Sequence, residues 1–455
     1  MENHDLPDID SDAKIMEQHL IEVGDAGLVA QFLEFQPKLL KDRKKQLFVV
    51  RNFGAVSSVE LTLNSKSIII GKNNSGKSTL AKLLHLLMNS DCHSKNFSFK
   101  DFKRKLDDLE INFLTDKSTI FLASKLGLIL VSKSKLINIE FQYLGKETHE
   151  KISEFKNLLH SKITDRNIRK LGLLYGASQD KGIIQKLNKK TVTKIDKNFN
   201  ATIEKAISAL QTINLINSIY IPAERGLISI LSQSLYSIIS NKVSLPDFLK
   251  DFGSEFEIAR KNIKDIDVKP LVSISYRYKD NQDRIYHSEN DFILLSKAAS
   301  GIRGIIPLYL VLVEYMDKPM ASFIIEEPEI NLHPTAQKGL VNFIAEATAG
   351  EGKSFITTTH SPYILSAFNN LIVAGTLAEE NPALAQEIAA IIPQESWIKY
   401  DDVSAYVLEN GTARSILDPE WKAIVADEID SASEEIGREY DQLLALKYRD
   451  TPADE

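Results

Sequence analysis

A glycine- and lysine-containing segment carries the clearest chemistry in this sequence. It reads Gly-Lys-Asn-Asn-Ser-Gly-Lys-Ser-Thr and directly follows the apolar run at residues 67–70. Its two glycines allow a tight turn whose N–H groups point inward, which suits a β-phosphate at the N-terminus of the following helix. Lys77 is predicted to place its charge between the β- and γ-phosphates, and the Ser78 hydroxyl to ligate Mg²⁺. The pattern therefore predicts a nucleotide site made by Gly71, Lys72, Asn73, Asn74, Ser75, Gly76, Lys77, Ser78 and Thr79.

Paired carboxylates follow a second apolar run. Residues 322–329 read Ser-Phe-Ile-Ile-Glu-Glu-Pro-Glu, which predicts a buried strand that delivers two acids to its carboxyl end, where open α/β sheets bind ligands. Glu326 stands where an acid would hold Mg²⁺ through water, and Glu327 would polarise the attacking water. An exposed acidic turn after a strand is the competing interpretation of this pair taken alone.

A histidine ends a third run of the same kind. Residues 354–360 read Ser-Phe-Ile-Thr-Thr-Thr-His and are followed by Ser361 and Pro362. His360 could hydrogen-bond a γ-phosphate and sense its loss. A lone histidine is more often structural, but the two neighbouring motifs favour a role at the site.

The elements that position these motifs are short strands and helices. Residues 292–375 alternate helix and strand with short links, which is typical of a parallel α/β sheet. Upstream, strand patterns at 47–50 and 59–63 predict two antiparallel strands leading into the buried strand at 68–70. Further strands are predicted at 118–122, 127–131, 136–143 and 219–221, whereas residues 95–116 are polar and irregular. The sequence predicts an α/β fold with a mixed sheet.

Five regions follow from this pattern. We expect an acidic N-terminal helical extension at 1–46, a lobe with the phosphate loop at 47–146 and an inserted lysine-rich helical arm or lid at 147–218. A second lobe at 219–375 contains the paired acids and His360, and an acidic helical region is predicted at 376–455.

Composition limits the class of protein. The chain has 455 residues, of which 43% are hydrophobic and 26% charged, as in ordinary globular proteins. Its single cysteine, Cys92, cannot form an intrachain disulfide, which predicts a reducing compartment and therefore the cytoplasm. No signal segment opens the chain, and the apolar stretch at 305–313 is shorter than the roughly 20 residues that span a bilayer, so we expect no contact with a membrane.

Charge is strongly segregated. Residues 1–34 hold nine acidic residues against one lysine, and residues 418–455 hold twelve against four basic residues. Residues 151–200 reverse this balance, with twelve basic residues against four acidic ones. The basic block could attract nucleic acid or an acidic protein surface. A solvated helical face is the competing interpretation.

Together with Asn331-Leu332-His333-Pro334, the three motifs resemble those of the ABC-type ATPase heads of the RecF, SMC and OLD group. The resemblance covers residues 47–85 and 292–375, about a quarter of the chain, and its order and spacing are specific. It implies an ABC-type head that uses ATP and Mg²⁺, with Lys77, Glu327 and His360 as catalytic residues and Ser78 and Glu326 at the metal.

The resemblance also implies a second copy of the chain. In such heads a signature segment of one subunit covers the γ-phosphate held by another, and residues 295–304 occupy the corresponding place. This assigns Ser300 and Gly301 to the γ-phosphate of a partner and predicts at least a homodimer. The segment keeps only Ser-Gly of the usual Leu-Ser-Gly-Gly-Gln.

The resemblance also suggests two further residues of interest. Gln142 is a candidate for the glutamine that links nucleotide to lid, with an ordinary strand glutamine as the alternative. Arg225, in Pro-Ala-Glu-Arg-Gly, resembles an arginine that follows the lid in OLD-like heads, with a surface ion pair as the alternative.

Within the group, the motifs look most like those of OLD-type ATPases in bacterial anti-phage defence. OLD nucleases continue into a Toprim domain that needs a later Asp-x-Asp, and the residues after 373 contain none. We therefore expect a separate effector, as in PARIS, Septu and some retron systems, where the ATPase holds or activates a toxic protein. The implied function is a slow, regulatory ATPase that senses a phage product and controls an effector nuclease. A DNA-clamping repair ATPase and a protein-binding ATPase without a role in defence are the alternatives.

Overall fold

The computed structural model describes residues 45–93, 97–124, 127–132, 135–140, 218–231, 245–268, 271–289, 291–318, 321–350, 352–425 and 438–443. Nearly all of the predicted N-terminal extension and of the predicted helical arm lie outside these residues. Gln142 lies outside them as well.

Strands of the described chain fall into three sheets, the largest of which has eleven strands. In chain order the strands are β1 (Gln46–Phe53), β2 (Val56–Leu63), β3 (Lys66–Ile70), β4 (Thr119–Ser124), β5 (Gly127–Ser132), β6 (Lys135–Glu140), β7 (Ser218–Ile221), β8 (Asp265–Asp267), β9 (Ser275–Lys279), β10 (Gln282–Tyr286), β11 (Phe292–Leu294), β12 (Ala321–Glu326), β13 (Lys353–Thr359), β14 (Val403–Glu409), β15 (Thr412–Ser415), β16 (Leu417–Asp418) and β17 (Ala423–Ile424).

The large sheet is mixed, as predicted. Its order is β6-β5-β4-β1-β2-β15-β14-β3-β13-β12-β7. The strands from β14 to β7 run parallel, whereas β6, β5, β4, β1 and β2 pair antiparallel. Strands β3, β7 and β12 are buried over their whole length, because parallel strands are covered by helices on both faces and their sequences are correspondingly apolar. A separate antiparallel sheet contains β8 to β11.

Helices connect and cover these strands. They are α1 (Lys77–Leu87), α2 (Ser90–His93), α3 (Phe99–Asp108), α4 (Gly226–Leu231), α5 (Asp247–Asn262), α6 (Ser300–Met316), α7 (Pro334–Ala347), α8 (Pro362–Glu380) and α9 (Ala385–Ile391). Proline at the first helical position and an N-cap side chain start both α7 and α8: His333 accepts from the Thr335 N–H, and Ser361 accepts from the Ile364 N–H. The helices that follow β12 and β13 therefore begin close to the carboxyl ends of those strands.

Two sequence expectations are wrong. Residues 376–455 are not purely helical: β14 and β15 from this region join the large sheet, and β14 pairs in parallel with β3. The acidic residues that suggested a helical tail lie mainly beyond 418, whereas the segment 403–408 is apolar enough to be buried on the sheet. Residues 95–116 are also not irregular throughout, because Ser98 and Asp101 form a capping box that starts α3 and the helix buries Phe102 and Leu106.

Among the helices that the structure describes, none is long and apolar enough to cross a membrane.

Candidate active site

Three neighbouring strand ends bring the sequence motifs together. In the parallel pairing, Ile70 of β3 is opposite Thr359 of β13, and Thr358 of β13 is opposite Glu326 of β12. Neighbouring strands lie about 4.8 Å apart. The residues that follow these strand ends therefore meet at one edge of the sheet: the 71–79 loop, His360 and Glu327. This is the edge at which open α/β folds bind ligands.

The 71–79 loop has the backbone of a phosphate cradle. Asn74 and Gly76 adopt positive φ values of 62° and 98°, and α1 begins directly after Gly76. The Lys77 ammonium donates to the carbonyl oxygens of Gly71 at 2.7 Å and Lys72 at 2.9 Å. Ser78 is exposed at the mouth of the loop. An ammonium bonded to the loop and N–H groups at a helix N-terminus suit a bound polyphosphate, so the predicted residues fit ATP.

Strand β14, which the sequence did not predict, requires a glycine at position 71. A Cβ at this position would lie 2.5 Å from the Leu408 carbonyl oxygen and 2.9 Å from the Ser75 hydroxyl. Leu408 belongs to β14, whose residue Val407 pairs with Ile70. The first glycine of the motif therefore lets β14 approach the loop closely.

The ammonium of Lys77 connects the loop with the acids of β12. Burial lowers the pKa of Lys77, and the nearby charges of Glu327, Glu329 and Glu326 oppose this shift. Lys77 thus lies close enough to both predicted acids, Glu326 and Glu327, for their charges to interact with its ammonium.

Glu326 is the most deeply buried acid of the site, with 2% of its surface exposed. Burial raises its pKa to about 7, against the opposing influence of the Tyr220 hydroxyl and the Lys82 charge. Tyr220 faces the carboxyl without meeting hydrogen-bond geometry, and the Glu326 Oε1 atom has no hydrogen-bond partner among the described residues. A buried carboxyl oxygen without a partner suits a site that a hydrated cation completes.

Magnesium fits this donor set. Among the described residues no cluster of three or more His, Cys, Asp or Glu side chains could hold a metal ion, but Mg²⁺ beside a nucleotide uses one or two protein ligands with phosphates and waters. Ser78 and Glu326 remain the predicted protein contacts. Bound Mg²⁺ would neutralise phosphate charge as the γ-phosphate leaves.

Glu327 sits in an unusual backbone conformation. Its φ is +40°, a region that costs a non-glycine residue about 1–3 kcal/mol. The Glu327 N–H donates to the Thr358 carbonyl at 2.9 Å, and its side chain is half-buried, with 21% exposed. β12 ends at the preceding residue, Glu326, so Glu327 is the first residue of the turn. Such strain at a predicted catalytic residue agrees with a functional role, which stays a prediction.

A third acid of the same motif holds His360. The Glu329 Oε1 atom accepts hydrogen bonds from the Thr359 hydroxyl at 2.6 Å and the His360 N–H at 2.9 Å. The His360 Nδ1 atom lies 3.4 Å from that oxygen and 3.8 Å from Glu327 Oε2. Sequence reasoning gave Glu329 no role, although its place in Glu-Glu-Pro-Glu was a usable signal. Glu329 thus links His360 to the acid turn (residues 326–328).

The His360 ring is open to an incoming ligand. It is 43% exposed and borders a cavity of about 450 Å³ that Asn331 and Tyr363 also line. Behind it, Ser361 donates to Gln337 at 2.6 Å and thereby links the starts of α7 and α8.

The predicted signature residues begin α6 and lie against the 331–334 loop. A Cβ on Gly301 would come within 2.6 Å of the Asn331 carbonyl oxygen, so this glycine allows close contact. Ser300 is exposed, and no hydrogen bond among the described residues joins it to the 71–79 loop. The structure therefore gathers Lys77, Glu326, Glu327 and His360 but does not connect Ser300 with them within the chain.

Arg225 is not a surface residue, so the surface ion pair considered as its alternative role is wrong. It lies at the end of a short 3₁₀ turn, Ala223–Arg225, that follows β7, and only 1% of its surface is exposed. Its guanidinium donates to backbone carbonyls of the acid turn and of α6.

A phosphate loop, paired acids and a histidine on adjacent parallel strands define an ABC-type ATPase head of the RecF, SMC and OLD kind. A model for the AAA ATPase domain family matches residues 47–365. The chain belongs to this family.

Among curated proteins, Endonuclease GajA of Bacillus cereus (strain VD045) is similar. It is 23% identical over 352 residues, which are 70% of this chain and 56% of GajA. The chain thus spans about half the length of this relative.

Solved structures with distant similarity include SMC heads. An Smc head domain of Pyrococcus furiosus with an extended coiled coil, bound to the C-terminal domain of ScpA, is 10% identical with a TM-score of 0.34, covering 86% of this chain and 99% of that one. The SMC head domain from Thermotoga maritima is 8% identical with a TM-score of 0.33, covering 82% and 98%.

Proposed function

We propose that this chain is an ATPase that dimerises through bound ATP and controls a separate effector nuclease in anti-phage defence. The observation that carries the ATPase part is the meeting of the 71–79 loop, Glu327 and His360 at the ends of three adjacent parallel strands. Lys77 would hold the β- and γ-phosphates, Glu327 would orient and deprotonate the attacking water, and His360 would contact the γ-phosphate.

The lack of a hydrogen bond between the signature residues and the 71–79 loop, among the described residues, supports dimerisation. Ser300 begins α6 at an exposed position and Gly301 beside it is half-buried. In the part of the chain that the structure describes, neither makes a hydrogen bond to the 71–79 loop. A second copy that presents Ser300 to the γ-phosphate would complete the site. ATP would then hold two chains together and hydrolysis would separate them, which is a population shift governed by the γ-phosphate.

The defence role rests on similarity. The motifs resemble those of OLD-type defence ATPases, and the relative GajA, of which the chain spans about half, is an endonuclease by name. In our proposal the nuclease is a separate protein, the ATPase holds it, and a phage-derived trigger changes the nucleotide state.

Phage infection of cells that express the full gene with its genomic neighbours tests the proposal. We expect Lys77→Ala and Glu327→Gln to abolish protection, whereas Lys103→Ala, which alters an exposed lysine of α3, should leave it intact.

With purified protein, Glu327→Gln should lower hydrolysis by about 100-fold or more and retain ATP binding, because only the water-activating group is changed. Unchanged hydrolysis would remove Glu327 from its proposed role.

A DNA clamp is the second candidate, and the basic block at 151–200 is the observation that favours it. Counterion release would make DNA affinity fall steeply with salt. Binding that weakens between 50 and 200 mM salt by about 100-fold, and that disappears when the lysines between 181 and 194 are neutralised, would support the clamp. A nuclease that co-purifies with the ATPase would support the first proposal.

A further inference from the structure

Arg225 uses every donor of its guanidinium on backbone carbonyls. Nε donates to the Gly304 oxygen at 3.1 Å, Nη1 to the oxygens of Pro222 at 3.1 Å and Glu326 at 2.9 Å, and Nη2 to those of Glu327 and Pro328, both at 3.0 Å. An arginine has five N–H donors in a fixed planar fork. All five are therefore committed to the shape of the chain around the active site.

Three of these bonds hold the acid turn. The carbonyls of Glu326, Glu327 and Pro328 are consecutive, and they include both peptide groups that flank the strained Glu327 and the one that follows. A turn with φ of +40° at a glutamate persists only when its surroundings over-determine it. The guanidinium supplies this constraint through its bonds to the three carbonyls.

One of the two remaining bonds reaches the N-terminal part of α6, at Gly304, and the other returns to Pro222, directly before the short turn that carries Arg225. Pro307 has no N–H, so it leaves the Arg303 carbonyl without its helical donor. The Ser229 hydroxyl of α4 donates a hydrogen bond to the Arg303 carbonyl at 2.8 Å, and Arg225 donates one to the neighbouring Gly304 carbonyl. The helix start that presents Ser300 and the turn that presents Glu327 are thus held by one side chain.

The charge of Arg225 is retained in the interior. Burial lowers its pKa to about 10, while the charges of Glu329, Glu327, Glu326 and Glu224 raise it, so the group stays protonated at neutral pH. None of its hydrogen bonds goes to a carboxylate. The arginine therefore fixes backbone positions and leaves the acidic side chains free for water and metal.

We propose that Arg225 is a positioning residue for Glu327: its guanidinium holds the 326–328 turn in the strained conformation that aims the Glu327 carboxylate at the γ-phosphate, and ties that turn to α6. This inference rests on the proposed role of Glu327 in ATP hydrolysis. Arg225 itself would touch neither ATP nor the attacking water.

Arg225→Lys in the full chain tests the proposal, because lysine keeps the charge but has three donors on a single atom. We expect kcat to fall by about 100-fold, since a displacement of about 1 Å at a catalytic group has such an effect. The ATP dissociation constant, measured by fluorescence titration, should stay within about threefold because the 71–79 loop is not held by Arg225.

A double-mutant cycle separates positioning from general support of the fold. If Arg225 acts through Glu327, Arg225→Lys should lower single-turnover hydrolysis by less than about threefold in a Glu327→Gln background, whereas independent effects would multiply. Glu327→Gln alone reports on the proposed function, so failure of that role and failure of this inference give different results.

Arg260→Lys is the matched control. Arg260 is also buried, at 8% exposed, and pairs with Asp283 at 2.9 Å in a region away from the acid turn. We expect this variant to keep kcat within about twofold. If Arg225→Lys does not fold, Arg225→Gln, which removes the buried charge, takes its place. Three results would overturn the proposal. They are loss of nucleotide binding in both Arg225→Lys and Arg225→Gln, an unchanged kcat in the Arg225 variant, and effects of Arg225 and Glu327 substitutions that multiply in the double-mutant cycle.

Discussion

The carboxyl of Glu326 is the buried acid that we propose as a contact of the cation. Its side chain is almost fully buried, its Oε1 atom has no hydrogen-bond partner among the described residues, and burial raises its pKa to about 7. In the absence of a cation, the charged carboxylate is therefore less favourable in the folded chain than in the unfolded one. A bound cation would remove this disadvantage. The residue thus makes stability depend on pH in a direction opposite to that of an ion-paired acid.

Replacing Glu326 by glutamine should stabilise the metal-free protein at high pH. The folded pKa of about 7 exceeds the ordinary value of 4.5, so the unfolded chain loses its proton first and stability falls as pH rises from 4.5 to 7. Above pH 7 the wild-type chain should be less stable than Glu326→Gln by roughly 3 kcal/mol, and near pH 4.5 the difference should vanish. Urea unfolding in EDTA at several pH values measures this.

The same exchange on a solvent-exposed acid provides the control. Glu409, at the end of β14, is exposed, so Glu409→Gln should change the free energy of unfolding by no more than about 0.5 kcal/mol. A stability difference for Glu326→Gln that is constant from pH 5 to 8 would contradict the raised pKa of this carboxyl.

At the scale of elements, local signals predicted some parts of the fold and long-range pairing decided the others. The runs that end at Ile70 and Glu326 are mostly apolar, and the run that ends at Thr359 is rich in β-branched residues. Each leads into a chemically distinctive motif, so both the strands and their meeting edge could be inferred. β14 could not be placed in this way, because its neighbour β3 lies more than 300 residues earlier. The contacts of Arg225 were equally hidden, since its partners are carbonyls and any sequence offers those.

The segment that precedes β14 depends on a glycine in α8. A Cβ on Gly375 would overlap the Ile398 carbonyl oxygen and lie 2.8 Å from its carbonyl carbon. The Ile398 N–H donates to the Leu371 carbonyl of the same helix at 3.2 Å. The chain therefore crosses α8 at this residue on its way to the sheet. Backbone that is fixed by a hydrogen bond cannot move aside as a flexible side chain would.

Gly375→Ala should destabilise the protein even though alanine favours helices. We expect a loss of about 1–3 kcal/mol in the free energy of unfolding, from overpacking against fixed backbone. Gly304→Ala is the matched control, because Gly304 is also helical and a Cβ there meets nothing within 4 Å. It should be neutral or stabilising by up to about 1 kcal/mol. Equal effects of the two substitutions in urea unfolding would contradict this account of the crossing.

At the scale of the whole molecule, our proposal gives the chain two functional surfaces. One holds the 71–79 loop with Glu327 and His360, and the other presents Ser300 at the start of α6. In a two-fold symmetric dimer each surface would meet the other surface of the partner, which gives two equivalent composite sites. Arg225 links the Glu327 turn to α6 within one chain. We therefore expect closure of one composite site to shift the Glu327 turn of the other.

Mixing two inactive variants distinguishes a composite site from a site within one chain. Glu327→Gln impairs the nucleotide-holding surface, and Ser300→Arg impairs the covering surface. A heterodimer of the two contains one site with both surfaces intact, so an equimolar mixture should recover up to about a quarter of wild-type ATPase activity, the value for random assortment and independent sites. A mixture of Glu327→Gln with Lys77→Ala should recover none, because both changes lie on the nucleotide-holding surface and every site then contains one of them. Recovery in both mixtures, or in neither while each variant still folds, would show that Ser300 does not act on the partner's nucleotide.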